Sequence, residues 1–224
     1  MTKRILIAAT AVLLIAAFAV PATAGNWFNR NHIEGSGDLE TRDFDFDDFK
    51  AIELNGGLDI EITVGEKQSV AITLDDNLFD NLEMDVSGGT LLIEWEESCD
   101  SHRKSKVVIT MPKLEEIELN GAGDVVVERF RGDAFKFRLR GAGDLTIEGE
   151  VDELDISLSG AGDINARKLK AKNVDVTVSG VGTADVTALD SIDARVSGVG
   201  DINYWGDPEH EKTRVSGLGD IDKK

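Results

Sequence analysis

The most regularly spaced residues that could do chemistry are the aspartates of a repeated Gly-x-Gly-Asp motif. If successive repeats stack as coils, these carboxylates form a column with a spacing of about 5 Å, at which they repel in proportion to their exposure. A bound Ca²⁺ ion would relieve this repulsion because calcium takes several oxygen ligands. Calcium is therefore the cofactor to consider, and its candidate ligands are Asp124, Asp144, Asp163, Asp201 and Asp220.

Two features of the motif weigh against calcium. Thr183 stands where an aspartate would continue the column. The repeat is also about twice as long as the nonapeptide repeat of calcium-binding β-rolls, whose core is Gly-Gly-x-Gly-x-Asp. The simpler prediction is that each aspartate accepts hydrogen bonds from backbone amides just beyond it, in an Asx turn. We therefore expect no cofactor.

The remaining chemistry-bearing residues do not predict a reaction. His32, His102 and His210 are scattered, and none lies at metal-ligand spacing from another. Cys99 and His102 share one polar loop, where an incidental exposed thiol is a simpler interpretation than a metal site. Carboxylates are so abundant that an acid–base pair could be drawn anywhere, and no Gly-x-Ser-x-Gly elbow or phosphate-binding loop occurs. We predict that the protein is not an enzyme, with a polysaccharide-active enzyme as the less favoured alternative.

The glycine motif predicts the architecture. It occurs six times, and its first glycines are separated by 20, 19, 20, 18 and 19 residues, a period typical of solenoids. Glycine reaches positive φ without a Cβ clash, so paired glycines suit the corners of a coil, and we expect the small apolar residue between them to point inward. The predicted turn glycines are Gly121, Gly123, Gly141, Gly143, Gly160, Gly162, Gly180, Gly182, Gly198, Gly200, Gly217 and Gly219.

Each repeat also contains two stretches in which apolar residues alternate with polar ones, as at Leu145 and Ile147 and again at Leu154, Ile156 and Leu158. Two strands per repeat predict an all-β parallel β-helix or β-solenoid with about 19–20 residues per coil. An up-and-down antiparallel barrel is the competing interpretation, but the motif recurs once per two strands in a constant phase. We assign the regular coils to residues 120–220 and an irregular β-rich section to residues 43–119.

The N-terminus predicts export. Lys3 and Arg4 precede an apolar run from Ile5 to Val20, and Ala22-Thr23-Ala24 supplies a cleavage pattern, so residues 1–24 are a predicted signal peptide. The run of 16 residues is short for a membrane span of about 20, so we expect no membrane-embedded segment after cleavage. Residues 25–42 are poor in apolar side chains and predict a flexible leader before the β domain at 43–220.

The net charge of the chain restricts the classes of partner that it can bind. The sequence contains 24 basic and 43 acidic residues, a formal net charge of −19. Such a surface repels phosphate backbones, so we expect no nucleic-acid partner. A single cysteine excludes an internal disulfide, so packing and strand pairing must supply the stability.

Four segments carry a family resemblance: Phe49-Lys50-Ala51-Ile52-Glu53-Leu54, Leu74-Asp75-Asp76-Asn77-Leu78, Met111-Pro112-Lys113-Leu114-Glu115-Glu116-Ile117 and Tyr204-Trp205-Gly206-Asp207-Pro208. With them, residues 44–220 resemble the putative auto-transporter adhesin head GIN domain family of exported bacterial proteins. The resemblance implies a right-handed β-helix-like fold in the periplasm, at the cell surface or outside the cell. The adhesin label is an analogy, because fold does not determine function.

Together these features predict a non-catalytic cell-envelope or surface module, adhesin-like, that presents a β-helix face to a glycan, a protein or a matrix component. A calcium-stiffened structural solenoid is the alternative. Tyr204 and Trp205 could form a sugar-stacking platform, but near the last repeat they more simply cap the end of the core. The lack of stalk heptads and of a C-terminal translocator segment predicts that the protein does not export itself.

Overall fold

The computed structural model describes residues 32–101 and 105–224, so the predicted signal peptide lies outside it. The described residues are almost entirely extended. Their elements are β1 (His32–Glu34), β2 (Leu39–Phe44), β3 (Ala51–Asn55), β4 (Asp59–Val64), β5 (Ser69–Asp75), the 3₁₀ helix η1 (Asp76–Asn81), β6 (Leu82–Ser87), β7 (Thr90–Trp95), β8 (Ser98–Asp100), β9 (Lys106–Met111), β10 (Glu116–Leu119), β11 (Val125–Leu139), β12 (Leu145–Leu158), β13 (Ile164–Val178), β14 (Val181–Val196), β15 (Val199–Trp205), β16 (His210–Val215) and β17 (Ile221–Lys223).

The repeats stack as a parallel β-solenoid of about five turns, which confirms the predicted fold class. Each of β11–β14 pairs in parallel with the next strand, and the motifs themselves pair, Ala122 with Ala142 and Ala142 with Ala161. The two strands predicted within each coil are continuous in β11–β14, with register shifts where the chain bends. Each long strand therefore contributes its first half to one face of the solenoid and its second half to another.

We call these the first face and the second face. The first face contains β2, β5, β9, β4, the first halves of β11–β14, β15 and β17. The second face contains β6, β7, β3, β10, the second halves of β11–β14, and β16.

The core lies between the faces and consists of columns of stacked apolar side chains. On the second face, Phe137 stands in register with Ile156, then Val176, then Ala194, and all four are buried. Burying each large aliphatic or aromatic side chain stabilises the fold by about 1.5–3 kcal/mol. The alternation that predicted the strands is thus the alternation between core and solvent.

Part of the N-terminal section is more regular than the sequence indicates. β3 pairs in parallel with β10, with Ile52 opposite Ile117, and β4 pairs with β11, with Ile60 opposite Val125. β7 and β9 lie on the other side of β3 and β4, also in parallel. Residues 51–64 therefore form a coil in register with those predicted at 120–220. The sequence hides this coil because its partners lie 65 residues further along the chain.

The predicted leader also differs from the structure. Within it, β1 pairs with β8, and the strand that starts at Leu39 pairs antiparallel with β5. Local composition could not indicate these strands because their partners lie far along the chain. Residues 25–31 lie outside the described residues. Among the described residues, no helix is long and apolar enough to cross a membrane.

Polar side chains close the C-terminal end of the core. Glu211 pairs with Ile192 one coil earlier and so takes an inward position that is apolar in the preceding coils. The buried Tyr204 donates a hydrogen bond from its hydroxyl to Glu211 Oε2 at 3.1 Å, and Lys223 donates to Glu211 Oε1 at 2.8 Å. Charged residues that point inward at an edge oppose further strand addition. Tyr204 therefore lies in the cap of the core.

Candidate functional site

The motif aspartates form a ladder that joins neighbouring coils. Asp124 Oδ1 accepts a hydrogen bond from the backbone amide of Asp144 at 3.1 Å, and Asp144 Oδ1 accepts one from the amide of Asp163 at 2.7 Å. Asp163 does the same for Thr183, and Asp201 for Asp220. These bonds run between coils, whereas the sequence predicted a bond within one turn.

Both glycines of each motif lie against the backbone of the preceding coil, and the second can also need a positive φ, as Gly141 and Gly143 illustrate. A Cβ atom on Gly141 would lie 1.7 Å from the backbone oxygen of Gly121 in the preceding coil, so any side chain there collides with backbone. Gly143 has a φ of 152°, which residues with a Cβ rarely adopt. The other predicted turn glycines lie at the same positions of their coils.

The residue between the glycines points outward, so the inward prediction was wrong. Val181, Val199 and Leu218 are 56%, 52% and 73% exposed. Side chains alternate along an extended chain. Because the glycines occupy the positions that approach the neighbouring backbone, the residue between them must face solvent.

The two described histidines, His32 and His210, lie apart from each other. His32 Nε2 lies 3.0 Å from Asp100 Oδ2, whereas His210 begins β16 at the opposite end of the solenoid. Burial, together with the nearby Asp100 carboxylate, raises the pKa of the Cys99 thiol, which therefore stays protonated at neutral pH. His102 lies outside the described residues. Among residues 32–101 and 105–224, no group of three or more histidine, cysteine, aspartate or glutamate side chains is placed to hold a metal ion.

A concave surface on the second face forms a groove of about 800 Å³ that crosses successive coils. We call it the acidic groove. Five residues in register follow it from coil to coil: Lys136, Asp155, Asp175, Asp193 and Lys212. Beside them runs a second column of Glu153, Asn173, Ser191 and His210.

Hydrogen bonds within the protein already use several donors in and beside the groove. Asn173 Nδ2 donates to Glu153 Oε1 at 2.8 Å, and Ser191 Oγ donates to Asn173 Oδ1 at 2.6 Å. Arg195 and Lys212 both donate to Asp193 Oδ2, at 2.5 and 2.6 Å. The groove is therefore left with an excess of acceptors.

Two acidic side chains illustrate that excess. Asp155 is exposed within the groove. Asp193 Oδ1 is buried and, in the part of the chain that the structure describes, has no hydrogen-bond partner. Between Lys136 and Lys212, a ligand in this groove would meet mainly acceptors, so donors on the ligand suit this surface.

Sequence reasoning missed the acidic groove, although a signal was present. Asp155, Asp175 and Asp193 are separated by 20 and 18 residues, which is the period of the glycine motif. Aligning the repeats beneath one another would have placed these carboxylates in one column. Only the folded chain shows that the column lies in a concave surface.

The resemblance segment at Leu74–Leu78 forms a clamp. Asn77 Oδ1 accepts from the amide of Ser36, and Asn77 Nδ2 donates to the carbonyl of Glu34, both at 2.8 Å. Asp75 Oδ1 accepts from the amide of Gly37 at 2.7 Å. These side chains hold the segment between β1 and β2 against the start of η1. Their role is therefore structural.

With the fold and these surfaces described, comparison with known proteins identifies the relatives. A family model described as "Putative auto-transporter adhesin, head GIN domain" matches residues 48–208. The chain belongs to this family. A search of the curated proteins found no match.

Solved structures agree with this assignment. A putative adhesin from Bacteroides fragilis NCTC 9343 is 27% identical, with a TM-score of 0.71 over 86% of this chain and 100% of that one. A putative adhesin from Parabacteroides merdae ATCC 43184 is 21% identical, with a TM-score of 0.56 over 86% of this chain and 99% of that one. A putative lipid binding protein from Parabacteroides distasonis ATCC 8503 is 24% identical, with a TM-score of 0.55 over the same shares. The similarity to the last two structures shows only that the fold is shared.

Proposed function

We propose that this chain is a non-catalytic binding module of the cell envelope or cell surface, and that it holds a glycan, protein or matrix component in the acidic groove. The observation that carries the proposal is the column from Lys136 to Lys212, which repeats one position over five adjacent strands. Four strand spacings give a length of roughly 19 Å. A surface of that length and periodicity suits an elongated ligand better than a compact one.

The hydrogen-bonding groups of the groove restrict the class of ligand that can bind there. Asp155 and Asp175 are exposed acceptors, although both oxygens of Asp175 already accept from Arg195, while Asn173 and Ser191 donate to neighbours within the protein. Hydroxyl groups and ammonium groups supply the missing donors. We therefore favour a neutral or amino-bearing glycan, or an extended basic segment of a protein, over an anionic polymer in this groove.

The family description and the predicted signal peptide support a location outside the cytoplasm, in the periplasm, at the cell surface or beyond it. In these compartments a domain without disulfides depends on its packed core for stability. The adhesin description, together with a groove open to solvent, supports binding rather than turnover as the task of this chain.

A glycan array and a panel of extended basic peptides would test the proposal directly. We expect binding to neutral or amino sugars, or to basic peptides, and a loss of at least tenfold in the double variant Asp155→Asn, Asp175→Asn. The matched control is Asp124→Asn, which changes a carboxylate outside the groove. Binding that the double variant retains would contradict the groove as the site.

Measurements on cells test whether the protein mediates adhesion. Deletion of the gene should reduce attachment of cells to the ligand-bearing surface, and complementation with the groove double variant should not restore it. Retention of the mature protein in the periplasm would exclude direct adhesion. Release of products from polysaccharides by the purified protein would contradict a non-catalytic role.

A further inference from the structure

Arg129 has an unusual backbone conformation. Its φ is 56°, and among the described residues it is the only non-glycine residue with a positive φ. It lies in β11 between Val127 and Phe130, where the register with β12 shifts. β12 makes its bend in the same region with Gly149, whose φ is 144°. Arginine is thus kept in a conformation that suits glycine better, and such retained strain is a reason to look for a function.

Arg129 and Arg131 are also unpaired. Both are exposed, and within the described ranges neither forms an ion pair with a carboxylate, whereas Arg138, Arg140 and Arg195 all do. The chain contains 43 acidic against 24 basic residues. In such an excess of carboxylates, two arginines that form no ion pair in the described residues, even though Arg131 stands opposite Glu150 of β12, are candidates to bind an external anion.

These two arginines border a shallow cavity of about 470 Å³. Its floor is largely aliphatic and is formed by Val64, Gly65 and Pro112, with Glu66 as the one acidic residue of its lining. The cavity thus combines two arginines with an apolar surface. Guanidinium groups present N–H donors in a planar fork that matches the oxygens of carboxylates, sulfates and phosphates.

We propose that Arg129 and Arg131 form a binding site for the oxyanion of a charged sugar, with the apolar face of the sugar ring packed on Val64 and Pro112. None of these residues lines the acidic groove. The negative charge of the remaining surface repels long polyanions. The site therefore suits a single charged sugar or chain end that carries a sulfate, phosphate or carboxylate group.

Titration of the full mature chain with glucose 6-sulfate, followed by calorimetry or by NMR shifts, tests this site, and glucose serves as the uncharged control. We expect saturable binding of glucose 6-sulfate and none of glucose. Arg129→Gly and Arg131→Gln should each weaken binding at least tenfold. Arg129→Gly should keep or raise the melting temperature, because glycine fits the left-handed backbone.

Arg214→Gln is the matched control, because Arg214 is also exposed and forms no ion pair in the described part of the chain. Its affinity for glucose 6-sulfate should equal that of the wild type. Absence of saturable binding to the wild type, or equal affinity in Arg129→Gly, would overturn the proposal. Inorganic sulfate that binds as tightly as the sugar sulfate would overturn the contribution of the apolar floor.

Discussion

The regular coils and the N-terminal section build the same coil from partners at very different distances along the chain. In β11–β14 the paired residues of successive coils lie 17–20 residues apart, whereas Ile52 in β3 pairs with Ile117, 65 residues away. Closing the longer loop costs about 1 kcal/mol more in chain entropy. The shared architecture therefore depends on stacked apolar columns and strand pairing, and a visible repeat is only one way to provide them.

The two regions also end differently. The N-terminal section closes its end with antiparallel β2, β5 and β6, together with side-chain clamps such as Asn77. The regular coils end in parallel β16 and β17, with the inward-pointing Glu211 closing the core. A solenoid needs both ends closed because each coil covers only its neighbours.

The largest effect should come from a side chain placed within a corner of the regular coils. Gly141→Val would place a Cβ atom 1.7 Å from the Gly121 carbonyl oxygen, so we expect destabilisation of more than about 4 kcal/mol, or failure to fold. Urea unfolding measures it. The control Ala142→Val faces solvent, as Val181 does, and should change stability by less than about 0.5 kcal/mol. Equal effects of the two variants would contradict the assigned roles.

Matched core truncations compare the two regions directly. Phe137→Ala in the regular coils should cost about 3–5 kcal/mol, and Ile52→Ala in the N-terminal section about 2–5 kcal/mol. Both side chains belong to one continuous buried cluster, so each variant should shift a single unfolding transition. A separate early transition in Ile52→Ala, detected by circular dichroism and calorimetry, would show that the N-terminal section unfolds on its own.

Disruption of the aspartate ladder should cause a smaller loss of stability. Asp144→Ala removes the acceptor for the Asp163 amide and should cost about 0.5–1.5 kcal/mol. Asp144→Asn keeps an acceptor oxygen and should lie close to the wild type. Melting curves with and without calcium complete the test. A calcium-dependent rise in the wild type that Asp144→Asn abolishes, with no response to magnesium, would support the alternative of a calcium-stiffened solenoid.

The smallest effect concerns the C-terminal cap. The hydrogen bond from Lys223 holds the pKa of Glu211 below its ordinary value of 4.5. A carboxylate whose pKa is lowered on folding stabilises the fold above its unfolded pKa and loses that contribution as pH falls through the folded value. Lys223→Met should therefore lower the melting temperature near neutral pH and converge with the wild type in acid, once Glu211 is protonated in both proteins. A difference that persists in acid would indicate lost packing instead.

Features that depend on residues close together along the chain could be predicted from the sequence, and features that depend on distant segments could not. The alternation at Leu145 and Ile147 predicts strands because neighbours on one strand determine which side chains face the core. The glycine period predicts stacking because each repeat has an equivalent neighbour about one coil away. The coil at 51–64, the pairing of β2 with β5, and the acidic groove escaped prediction, because each depends on segments that only the folded chain brings together.

The sequence by itself determined the all-β solenoid, the coil length and the corner positions, because backbone sterics and side-chain alternation are local and repeat in every coil. Tertiary structure decided the outward direction of Val181 and Leu218 and the use of Asp144 as a bond between coils. These outcomes depend on which backbone or charge lies in the adjacent coil. The sequence of a single repeat does not indicate which residues lie opposite it in the adjacent coil.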